Sequence, residues 1–170
     1  MPFGASRILE ETIMNQATVS YTIPVYRLQL VQEGRATAMP VTGPAELASH
    51  LKEIAMADRE HMVCVFLDTK NRAVARQVIS IGTLNASLVH PREVFKAALL
   101  SNANSIILTH NHPSSEINPS TDDDEVTRRI ARAGGLLNVP LLDHVILSPD
   151  GGFYSYRDHR PDCLQGGDAL

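Results

Sequence analysis

Apolar and polar positions change rhythm along the chain, and the changes mark its elements. Residues 21–32, YTIPVYRLQLVQ, set Tyr26, Leu28 and Leu30 against Arg27 and Gln29. That alternation predicts a half-buried strand, and Pro24 puts it at an edge or makes it a strand start. Over 42–56 the spacing lengthens: Leu47, Leu51 and Ile54 share one face of a helix, with Thr42 as N-cap and Pro44 in the first turn. Residues 62–69, MVCVFLDT, run apolar without alternation, as a strand buried on both faces does, and the turn KNR leads into an antiparallel partner over 73–82. A helix over 91–102 opens at Pro91 and turns Val94, Ala98 and Leu99 inward. The strand 105–110, a helix over 121–135 closed by Gly134 and Gly135, and strands 141–148 and 153–156 about the turn PDGG complete the series. Hairpins and crossovers interleave, which predicts an α+β or mixed α/β domain: one central sheet flanked by helices. The expected division is an arm and edge strand over 1–41, the domain over 42–157 and a tail over 158–170.

Composition narrows the picture. At 170 residues, 44% hydrophobic and 20% charged, the chain is long enough to bury a core without a staple. Its two cysteines, Cys64 in an apolar run and Cys163 in a polar stretch, suggest neither a disulfide framework nor a cysteine zinc knuckle. No apolar stretch reaches membrane-spanning length, and the acids near the N-terminus argue against a signal peptide, so the expected location is the cytoplasm. Net charge is −4, from 19 acids against 15 Lys and Arg. No basic run appears, and Arg128, Arg129 and Arg132 read as a solvated helix face balancing nearby acids, so a nucleic-acid partner is not expected.

Chemistry gathers in ILTHNHPSSEINPSTDDDEV, residues 107–126. Side chains two apart on a strand point the same way, so His110 and His112 can face one pocket at a strand end before Pro113 turns the chain. Paired imidazoles suit zinc, whose third ligand is then a carboxylate or another imidazole. Asp123 lies in the first turn of the next helix, three residues after Ser120. The same spacing describes a capping box, and capping and metal binding are compatible. His144 reads as a packing or supporting histidine rather than a ligand, and His50, His61, His90 and His159 have no partner spacing. There is no His-Glu-x-x-His helix, paired-cysteine deaminase signature, Gly-x-Ser-x-Gly elbow or phosphate loop.

His110, His112, Ser120 and Asp123 fit the His-x-His, seven residues, Ser, two residues, Asp signature of the JAMM metalloproteases, also called the JAB or MPN domain. FLDTKNR, GTLNASLVHPREVF, ILTHNHPS and LLDHVIL resemble, in order, segments of the RadC-like branch, and the likeness covers roughly 43–156. This resemblance implies a JAB/MPN-like, deaminase-like central mixed sheet flanked by helices. It implies one zinc ion per chain, held by His110, His112 and Asp123 with a water in the fourth position, and Ser120 donating to the oxyanion. The family's general base is a Glu just before the first core strand, a place Glu60 fills; Glu93 is the rival acid. The activity so implied is hydrolysis of a peptide or isopeptide amide, with a peptide or ubiquitin-like protein as substrate. Two other readings accompany it: a non-catalytic MPN-like binding module, and a DNA-repair-associated accessory protein. The second is the less expected, because the segment ahead of Thr42 is too short for the helix-hairpin-helix region that RadC proteins usually carry. Ser115 replaces the family's usual Gly.

Overall fold

A computed structural model describes residues 23, 24, 31, 39–82 and 89–165; the strand expected over 21–32 lies almost wholly outside the described residues. The chain forms β1 (Met39–Pro40), α1 (Pro44–His50), α2 (Lys52–Ala55), β2 (His61–Leu67), β3 (Arg72–Ile81) and α3 (Pro91–Leu100). Then come β4 (Ser105–Asn111), α4 (Thr121–Leu137), β5 (Leu141–Leu147), β6 (Phe153–Ser155), α5 (Tyr156–His159) and a 3-10 turn (Pro161–Leu164). The strands make one six-stranded mixed sheet in the order β1-β3-β2-β4-β5-β6. Only β4 and β5 are parallel, and α4 is the crossover between them.

Each face of the sheet carries its own core, and strand alternation sorts the residues. Met62, Cys64 and Phe66 of β2 join Ile106 and Leu108 of β4 beneath Val94, Phe95 and Ala98 of α3 and Val126, Ile130 and Ala131 of α4. Val63, Val65, Leu67, Ile107, Val145 and Leu147 face the other way, onto Leu47, Leu51, Ile54 and Ala55 of α1 and α2. A strand covered on both sides has no polar face, which is why β2 and β4 read as unbroken apolar runs. The expected hairpin of β2 with β3 is present and antiparallel.

Four local expectations are corrected. The helix over 42–56 breaks at Leu51, and its N-cap is Gly43; Thr42 instead donates its backbone N–H and hydroxyl to Glu46, at 2.8 and 2.7 Å. Leu99 is 50% exposed, and Phe95 takes the inward place beside Val94 and Ala98. The boundary expected at 157 falls inside an ordered element. Tyr156 and Cys163 are buried against Ile146, and Asp124 of α4 accepts hydrogen bonds from Tyr156 and Arg160, fastening this segment to the helix. Finally, α4 runs through both glycines and is closed by Asn138 in the left-handed conformation, φ 55°.

Gly134 serves a close approach rather than a helix stop. A Cβ there would lie 2.6 Å from the Val139 carbonyl oxygen and 3.2 Å from Phe95, whereas a Cβ on Gly135 would meet nothing within 4 Å. Gly135→Ala therefore gains helix propensity of up to about 1 kcal/mol and raises the thermal midpoint by about 2–4 °C. Gly134→Ala makes the same gain but collides with backbone, for a net loss of about 1–2 kcal/mol. Paired thermal melts of the two variants check the opposite signs.

Candidate metal centre

Strand β4 delivers the two histidines. His110 shares the α4-side face with Ile106 and Leu108, is fully buried, and lies opposite Met62 of β2 in the antiparallel register. The ladder continues past the strand's last residue, with His112 N donating to the Leu147 carbonyl at 2.9 Å, so His112 still follows strand geometry and points to the same side. Pro113 then ends the ladder, having no N–H to give. Ser115 follows with φ 64°, in the left-handed region glycine favours, which gives a physical reason for a Gly at this loop position.

Helix α4 delivers the carboxylate. Ser120 is its N-cap, and the box is reciprocal. Asp123 N donates to Ser120 Oγ at 3.2 Å, while Ser120 N and Oγ donate to Asp123 Oδ2 at 2.8 and 2.6 Å. The capping expectation holds, and the cap leaves room for the other: it immobilises the carboxylate and engages Oδ2. That leaves Oδ1 facing His110 Nε2 at 3.2 Å.

The two Nε2 atoms are 2.9 Å apart, His112 Nε2 is 3.8 Å from Asp123 Oδ2, and one donor atom from each of the three residues lies within 4.8 Å of the others. His112 Nδ1 faces the Glu116 carbonyl oxygen, which can only accept, so the ring hydrogen sits on Nδ1 and Nε2 presents its lone pair to the cluster. Two imidazole nitrogens and a carboxylate oxygen thus converge on one point. A tetrahedral shell with bonds of about 2.0–2.1 Å spaces its donors by about 3.3 Å. The two spacings from His110 Nε2, 2.9 Å to His112 Nε2 and 3.2 Å to Asp123 Oδ1, lie near that figure, and the donor set fits a zinc-type ion.

Burial governs the electrostatics. It pulls His110 from 6.5 down to about 4, against the raising effect of Asp123 and with a further lowering by His112. His144 is also held well below 6.5, by burial first and then by the two neighbouring imidazoles. Both rings are neutral at pH 7, the state a ligand needs. Between pH 6.5 and 4 the unfolded chain binds protons at these rings that the folded chain does not, so stability is complete above pH 6.5 and falls as pH drops through that window. His110 alone removes about 2 kcal/mol between pH 7.5 and 5. His144 adds in the same sense, and Asp143, raised chiefly by burial, opposes with a single group. Urea unfolding of chelator-treated protein at the two pH values reads the difference.

Glu60 lies on the segment entering β2, half-buried, with its carbonyl accepting from Gly82 N at 2.9 Å. It stands two residues before Met62, the partner of His110. Glu93 is in the first turn of α3, where Lys96 at 2.8 Å and Arg92 at 3.5 Å pair with it.

Three further residues belong to the arrangement. Glu116 orients His112 through its carbonyl, and Thr127 reaches His144 from α4. Asn111, between the two histidines, points to the opposite sheet face. Its Oδ1 accepts from His61 N at 2.8 Å, and its Nδ2 donates to the Ala57 and Arg59 carbonyls at 3.2 and 3.0 Å. Asn111 could have been suspected as a buried amide between the two histidines; a backbone carbonyl acting at Glu116 leaves no residue-type signal.

No helix among the described residues is long and apolar enough to cross a membrane. Two of the three arginines of α4 pair with acids, Arg128 with Asp124 and Asp162 and Arg129 with Glu125. The sequence profile of the RadC-like JAB domain matches residues 41–161. A UPF0758 protein of Rubrobacter xylanophilus is 48% identical over 120 residues, 70% of this chain and 52% of that protein. One from Chlorobaculum tepidum is 46% identical over 122 residues, 71% and 54% of the respective lengths, and one from Caldanaerobacter subterraneus 46% over 127, 74% and 54%. The chain thus spans about half the length of these curated relatives. With a profile match across most of its length and the same ordered segments on a mixed sheet, the chain belongs to the RadC-like JAB domain family.

Proposed function

We propose that the domain is a zinc-dependent hydrolase of peptide or isopeptide amide bonds. The observation that carries this reading is the convergence of His110 Nε2, His112 Nε2 and a carboxylate oxygen of Asp123, with no fourth ligand in the group among the described residues. Zinc held by three protein ligands keeps a coordination place open, polarises an amide carbonyl and acidifies water. The remaining work falls to the chain. His110 is enclosed by the core and cannot turn away, and the capping box holds Asp123 through Oδ2. Glu60, at the entrance to β2, takes a proton from the attacking water and returns it to the leaving amine. Ser120 spends its only hydroxyl hydrogen on Asp123 Oδ2 in this state, so stabilising an oxyanion requires that hydroxyl to rotate while Ser120 N keeps its grip on the carboxylate. A flexible peptide or the tail of a ubiquitin-like protein is the substrate class that such a reaction serves.

Metal analysis of the purified chain tests the centre. About one zinc per chain is expected, lost in His112→Ala. Iron in its place, or protein with no affinity for divalent ions, overturns the zinc assignment. Hydrolysis of a panel of peptide and ubiquitin-like fusions tests the activity. Zinc binding without turnover on any of them favours a binding module.

A further inference from the structure

His110 is supported from behind by groups outside the ligand set. Its Nδ1 lies 2.8 Å from His144 Nε2, His144 Nδ1 lies 2.7 Å from Thr127 Oγ1, and Thr127 Oγ1 lies 2.6 Å from the Asp123 carbonyl oxygen. His110, His144 and Thr127 are all fully buried, and the His144 ring stacks on Tyr156 at 5.1 Å with only 10° between planes. We propose that Thr127 and His144 are positioning residues that fix the tautomer of His110, keeping hydrogen on Nδ1 and the Nε2 lone pair on the metal position; this rests on the metal-site reading above.

Direction in the relay follows from its far end. A carbonyl oxygen only accepts, and two bare oxygens do not sit 2.6 Å apart, so the Thr127 hydroxyl hydrogen lies toward Asp123 O. Thr127 Oγ1 is then an acceptor for His144 Nδ1–H. A neutral His144 with hydrogen on Nδ1 has a bare Nε2, which accepts from His110 Nδ1–H. One hydrogen remains to each ring, and His110 Nε2 has none. The chain of bonds starts at the backbone of Asp123 and ends at the imidazole facing Asp123's own carboxylate, so one residue anchors both sides of the centre. Reversing the relay would strip the hydrogen from the Thr127–Asp123 contact and place one on His110 Nε2, where it blocks coordination.

Two measurements on the full chain decide this. Long-range proton–nitrogen spectra of zinc-loaded, histidine-labelled protein are expected to show hydrogen on Nδ1 of both His110 and His144; hydrogen on His144 Nε2 overturns the proposal. Zinc affinity by competition with a chelator is expected to fall about 10–100-fold in Thr127→Val and to stay within a fewfold of wild type in Thr127→Ser. A Thr127→Val protein that matches wild type overturns the proposal while leaving the zinc reading intact. Wild type without zinc affinity overturns the zinc reading and the proposal with it, an outcome distinct from zinc binding that Thr127→Val leaves unchanged.

Discussion

Glu60→Gln keeps one zinc per chain and lowers amide hydrolysis by about 10²–10⁴-fold, the range a positioned general base contributes. The substitution preserves shape and removes the carboxylate's charge and its capacity to accept and return a proton while leaving the proposed ligands in place, so it separates binding from chemistry. Position argues for this residue. Glu60 lies just ahead of β2, two residues before Met62, which pairs with His110 across the ladder; the alternation of β2, extended back past its first residue, puts position 60 on the sheet face of the imidazoles. Glu93 is tied to Lys96 and Arg92 on the surface of α3, and Glu93→Gln is expected to leave the rate within about twofold of wild type, as surface substitutions away from special features do. Metal analysis and turnover on the same preparations give the check. Equal rates for Glu60→Gln and wild type would remove Glu60 from the mechanism.

Where packing is simple, the hydrophobic pattern carried the fold. The run over 62–67 read as a buried strand because it is covered on both faces, and the apolar centre of 105–110, Ile106 to Leu108, read as β for the same reason. Spacing also brought His110, His112 and Asp123 forward, since a strand's period of two and a helix's first turn are short-range facts. Errors arose wherever a local preference met a tertiary demand. Gly134 and Gly135 read as a stop, yet Gly134 exists because Val139 and Phe95 press against it, and the chain stops at an asparagine instead. Residues beyond 157 are polar on average, but Cys163 finds a hydrophobic seat beside Tyr156 and Arg160 a buried carboxylate, neither of which composition shows. The polar supports were hidden for the same reason. Thr127 is one threonine among polar helix residues until β5 places His144 against it, and that parallel pairing is a long-range event.

Asn111→Ala is expected to lower hydrolysis by about 10²-fold with zinc affinity unchanged, and to destabilise the fold by about 2–4 kcal/mol. Every hydrogen-bonding direction its amide uses points at one short segment: the carbonyls of Ala57 and Arg59 and the backbone N–H of His61. Glu60 sits inside that segment, so the amide clamps the entry of β2 to the end of β4. The clamp lies on the sheet face opposite the imidazoles, which is why its loss leaves the ligands alone. Truncation takes the Asn111 partner from three backbone groups, of which the Arg59 carbonyl keeps His61 Nδ1 at 2.9 Å, and frees the segment to shift. A displacement of about 1 Å at a proton-transferring carboxylate is enough for the expected loss of rate. A drop in stability accompanied by full activity would show that the clamp serves the fold alone. Loss of zinc together with activity would show that it acts on His110 and His112 through the strand instead. The expected pattern, with zinc retained, rate lost and stability reduced, differs from Glu60→Gln only in the last of the three, so urea unfolding of the two variants side by side tells clamp from base.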